Sequence, residues 1–170
     1  AGYSSVDEYL ESSESSKQNM IKQILIMHPV FIACEKADAY RQTMHSDELI
    51  ITADTIVWLD GLVMGKPEDE EDARRMLRCL SGKTHQVITG VCLTTTEFQK
   101  SFATVTDVTF AELTEEEIDY YVQKYKPMDK AGSYGIQEWI GFVGVEGITG
   151  SYFNVMGLPI QRLYKELKKL

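Results

Sequence analysis

Cysteine is scarce in this chain. Cys34, Cys79 and Cys92 are odd in number and far apart, so they form neither a disulfide framework nor a paired-cysteine zinc site. Buried thiols in a reducing compartment are the expectation. The histidines, His28, His45 and His85, are equally few and lack metal-ligand spacing. Positive charge is also short: 17 lysines and arginines against 26 acids leave a net charge of −9. That balance argues against a basic surface for nucleic acid, yet a few local lysines could still dominate one cleft and take a small phosphorylated ligand. There is no run of about eighteen apolar residues and no signal-peptide pattern, so no membrane partner is expected and a cytoplasmic protein is the simplest reading. No internal repeat appears. A length of 170 residues with 44% hydrophobic content suits one globular domain.

What the chain does have is centred on residues 50–59, Ile-Ile-Thr-Ala-Asp-Thr-Ile-Val-Trp-Leu. This is a β-branched, apolar strand with one carboxylate, Asp54, in its middle. A buried carboxylate must be paired, hydrogen-bonded or metal-bound, or must face a cleft. Lys66, fixed between Gly65 and Pro67, could bring positive charge to the same place. Asp54 and Lys66 are therefore candidates for one phosphate-handling site. The competing structural reading is an ordinary ion pair at a strand end.

Around that strand, apolar spacing predicts a helix over residues 29–44, with Pro29 in its first turn and Lys36 at the edge of its buried stripe. Residues 1–28 form an atypical, partly disordered segment. The polar stretch 12–17 reads as a loop, and 20–27 is apolar but too short to assign. A helix follows over 68–80, its early acids and late arginines matching the helix dipole; that reading outweighs a metal site in the acidic cluster. Strands are expected at 84–95 and 102–111, joined by a polar turn. The Thr114-Glu115-Glu116-Glu117 capping box opens a helix to about residue 125. Short strands, including 140–145, explain the glycines of 128–150, and a terminal helix runs from Pro159. The pattern gives a mixed α/β fold.

Several fragments then combine. Thr52-Ala53-Asp54-Thr55, Gly65-Lys66-Pro67, Leu80-Ser81-Gly82-Lys83-Thr84-His85, Thr89-Gly90-Val91, the segment from Asp129-Lys130-Ala131-Gly132 to Gly135-Ile136-Gln137, and Asn154-Val155-Met156-Gly157-Leu158-Pro159 occur in order. Together they resemble the Maf (septum-formation-like) nucleotide pyrophosphatases, over residues 31–170, and the segment ending in Gln137 resembles the branch acting on uridine and thymidine triphosphates. The resemblance implies an elongated mixed sheet flanked by helices, of the Maf/Ham1 (inosine triphosphate pyrophosphatase-like) kind, within a domain at 29–170. It implies hydrolysis of dTTP or UTP to the monophosphate and pyrophosphate, a divalent metal (Mg2+ or Mn2+), and a homodimer. It matches Asp54 to the family's catalytic aspartate and Lys36 and Lys66 to its phosphate-contacting lysines. Gln137 matches a substrate-site glutamine, and Glu8 in Val6-Asp7-Glu8 is a candidate acidic metal ligand beside Asp54. Whether Asp54 acts as base or metal ligand stays open. The family's Ser-x-Ser-Pro-Arg-Arg loop has no counterpart, since none of Pro29, Pro67, Pro127 and Pro159 precedes an arginine. One edge of the phosphate site is therefore expected to be missing. A non-catalytic nucleotide-binding or dimeric interaction protein on the same fold is the rival reading.

Overall fold

The computed structural model describes the backbone of residues 6–170 and the side chains of residues 15–170. Five strands form one antiparallel sheet in the order β2-β1-β3-β4-β5. β1 (Ile50–Leu59) and β3 (Thr84–Thr94) pair along nearly their whole length, with Asp54 opposite Gly90. β4 (Gln99–Phe110) follows β3 through the polar turn, starting earlier than the alternation of 102–111 suggests. β2 (Leu62–Met64), which the sequence pattern did not reveal, covers only Val57, Trp58 and Leu59 of β1. Among the described residues, the outer edge of β1 over residues 50–56 thus has no strand partner.

Side chains alternate across the sheet with the two-residue period of a strand. On one face, Ile56 and Ile88 meet Leu25, and Cys92 meets Ala33 and Ala37, all from α1 (Val6–Arg41). On the other, Val57, Leu59, Val87, Val108 and Phe110 pack on α2 (Glu70–Leu80) and α3 (Glu115–Tyr125). Val91 and Leu93 on that face meet Leu163 of α6 (Ile160–Leu167). The predicted capping box forms between Thr114 and Glu117, and Asp69, placed by the sequence pattern inside the helix of 68–80, instead caps α2 by accepting Asp72 N–H at 2.8 Å.

Three sequence expectations are corrected. The polar stretch 12–17, read as a loop, is helical, and α1 continues through Pro29 instead of starting there. Proline removes one helix hydrogen bond and crowds the preceding turn, but Leu25 on one side and Ala33 and Ala37 on the other are anchored to the sheet, so packing overrides it. Of the run 140–145, read as a strand, all but Val145 lie in α4 (Trp139–Gly144); the strand β5 (Val145–Thr149) begins where that helix stops. α5 (Tyr152–Val155) lies between β5 and α6.

Candidate active site

Asp54 reaches a cleft because of where α1 crosses the sheet. Gly90, its neighbour across the β1–β3 pair, lets the helix backbone come down onto β3: a Cβ there would lie 2.2 Å from Val30 N and 2.4 Å from Pro29 C. Thr52 Oγ1 then donates to Ala33 O at 2.6 Å, fixing the helix beside β1. One turn further on, Lys36 Nζ sits 2.6 Å from Asp54 Oδ1 and donates to Ala53 O at 3.2 Å, on the unpaired edge of β1. The Asp54 side chain is 23% exposed, and its Oδ2 makes no hydrogen bond among the described residues. One oxygen is held by the lysine while the other stays available.

The opposite wall is the turn after α3. Gly132 N–H donates to Gly65 O at 3.0 Å, which pins the chain next to Lys66. Gly132 has φ +68°, and a Cβ there would run into Val57, so this turn needs glycine. Lys66 makes no hydrogen bond or ion pair among the described residues. Asp129 and Lys130 form an ion pair at 2.8 Å, and the Lys130 ammonium holds its carboxyl below the usual range. Burial works against the Lys130 charge, but Asp129 and Glu138 outweigh it and raise its pKa. Gln137 is exposed, with no protein partner for its amide among the described residues.

These walls enclose an open cleft of about 550 Å³. Asp54, Lys36, Lys66 and Gln137, the four candidates within the described side chains, all line it. Glu8 lies on α1, but its side chain falls outside the described residues. The sequence reading passed over His28 and Tyr134, which also line the cleft. His28 has no signal beyond its place directly before Pro29, where the helix meets Gly90. Tyr134 is almost fully buried, and its hydroxyl meets His85 Nε2 at 2.7 Å. Three lysines against two aspartates make this a local exception in a chain of net charge −9, suited to an anion.

Among the described residues no group of three histidines, cysteines or carboxylates could cage a metal ion. A Mg2+ ion does not need one, because it is commonly held by one or two carboxylates, water and substrate phosphates. Asp54, with a free hard oxygen in the cleft, fits that donor chemistry.

A family model described as Maf-like protein matches residues 3–170. A Phocaeicola vulgatus protein named dTTP/UTP pyrophosphatase is 80% identical over 142 residues, covering 84% of this chain and 74% of that protein. A Bacteroides thetaiotaomicron protein of the same name is 69% identical with the same coverage. A Porphyromonas gingivalis protein, again so named, is 55% identical over 82% of this chain and 71% of its own length.

Proposed function

The chain belongs to the Maf-like family, and on that premise we propose that it is a nucleoside triphosphate pyrophosphatase that hydrolyses dTTP and UTP to the monophosphate and pyrophosphate. The observation that carries the reading is the Lys36–Asp54 pair, 2.6 Å apart, in a cleft that also presents Lys66 and Gln137. The lysines offset the charge of the polyphosphate, and phosphoryl transfer relies mainly on such positioning and charge stabilisation. Lys36 fixes the Asp54 carboxylate through Oδ1, so that Oδ2 is the atom open to a water proton or a cation. Gln137 presents a donor and an acceptor together, matching the alternating acceptors and donor on the edge of uracil or thymine. A bound Mg2+ or Mn2+ ion would neutralise phosphate charge and polarise the anhydride, with Asp54 as the residue that holds it.

The reading includes a homodimer, supported by the large apolar side chains left in solvent, among them Met27, Phe31, Phe142 and Phe153. It also includes a reducing compartment such as the cytoplasm, supported by Cys34 and Cys92, which the fold brings to 3.3 Å between sulfurs with both thiols free; cell fractionation checks this.

Pyrophosphate release from UTP, dTTP and a purine triphosphate, with and without Mg2+, tests the activity. The pyrimidine substrates are expected to turn over, EDTA to stop them, and Asp54→Asn to cost at least about a hundredfold in kcat. Tight UTP binding with no turnover in the unsubstituted protein would support the non-catalytic reading.

A further inference from the structure

Behind the cleft wall that carries Gln137, a ring of polar contacts closes the segment between Lys130 and Glu138. Tyr121, on α3, donates its hydroxyl proton to Glu138 Oε2 and accepts Gly135 N–H at 3.0 Å. Glu138 Oε1 lies 3.3 Å from Lys130 Nζ on the far side of the turn. Gly135 fills the middle: a Cβ there would meet Glu138 Cδ and Lys130 Cε at 3.0 Å each. Burial raises the Tyr121 pKa, so the phenol remains a proton donor. Gln137 sits inside this fastened span, yet its own amide is uncommitted and faces the cleft. The backbone is locked while the reading group is left free.

We propose that Glu138 is a positioning residue for the nucleobase: by joining Tyr121 to Lys130 it fixes the backbone of residues 135–137 and so places the Gln137 amide against the base. This rests on the pyrophosphatase reading for the nature of the ligand. It separates recognition into two parts. Lys36 and Lys66 take the triphosphate whatever base it carries, whereas Tyr121 and Glu138, which do not line the cleft, act through the base. An amide carried by a loose turn would have to be ordered on binding, and that entropy would be charged to the affinity.

The test compares a ligand that has a base with one that lacks it. Calorimetric titration with α,β-imido-UTP and with inorganic tripolyphosphate, in Mg2+, is run on the unsubstituted protein, Glu138→Gln, Gln137→Ala and the double variant. Glu138→Gln is expected to weaken the nucleotide roughly tenfold and not to weaken tripolyphosphate, which then faces the Lys130 ammonium with one carboxylate fewer beside it. In the Gln137→Ala background it is expected to add nothing, because the group it positions is gone. Equal weakening of both ligands, or fully additive losses, would overturn the proposal. Tyr121→Phe, which removes only the hydroxyl, repeats the test should Glu138→Gln not fold. Turnover of UTP is scored separately: its absence in the unsubstituted protein refutes the pyrophosphatase reading, while the two titrations still decide the role of Glu138.

Discussion

His85 shows how burial sets a residue's chemistry. It stands at 1% exposure between the edges of Phe110 and Tyr134, and desolvation, opposed by Asp107, pulls its pKa from 6.5 to about 4. Between those values the unfolded chain binds a proton that the native chain refuses. Stability is therefore full above pH 6.5 and falls as the pH drops toward 4, by about 3 kcal/mol at the limit. Urea titrations at pH 7 and pH 4.5 should show this slope in the unsubstituted protein and lose it in His85→Gln; parallel slopes would disprove the assignment. In sequence, His85 was one member of a motif and nothing marked it as buried. Asp54 was different: a lone carboxylate among Ile, Val and Trp announces a special environment in any fold. Apart from the family resemblance, Lys36 was legible as an edge lysine and no more, since its partner is eighteen residues away and becomes its neighbour only when α1 crosses the sheet.

At the scale of elements, the crossing of α1 over β3 is the joint on which the site depends. Gly90→Ala would drive a methyl group into the backbone at Pro29 and Val30, with no flexible side chain to yield. A loss of about 2–3 kcal/mol is expected from such overpacking, together with a weakened Lys36–Asp54 contact. Chemical denaturation combined with the UTP assay checks it, and a variant as stable and active as its parent would remove Gly90 from the account. The elements with strong local signals were read well: β1, β3, and the capped helices α2 and α3. The departures arise where local signals mislead or fall short. Pro29 and the polar stretch 12–17 argue locally for a break, while the anchoring of Leu25, Ala33 and Ala37 on the sheet argues for continuity, and only the tertiary contacts show which wins. At 140–145, a short apolar run has too few residues for its period to separate helix from strand.

For the molecule as a whole, the exposed apolar residues lead to an expected assembly. Sedimentation equilibrium at micromolar concentration should give twice the chain mass, and a monomer at all accessible concentrations would rule the homodimer out. The sequence pattern already carried the mixed α/β character: 44% hydrophobic residues and alternating strand patterns follow from which side chains water rejects, a property each residue brings with it. The ordered motifs likewise carried the family, and the resemblance they make up named Asp54, Lys66, Lys36 and Gln137 as candidates. Their convergence in one cleft came from elsewhere. It required the short β2 that leaves the edge of β1 open, the glycine that admits α1, and the turn tied by Gly132 to Gly65. Each joins residues distant in the chain, where local periodicity carries no information. Asp54 stands out in the sequence as a carboxylate in need of a partner; the packing of α1 across the face of β1 and β3 supplies that partner and leaves one oxygen free.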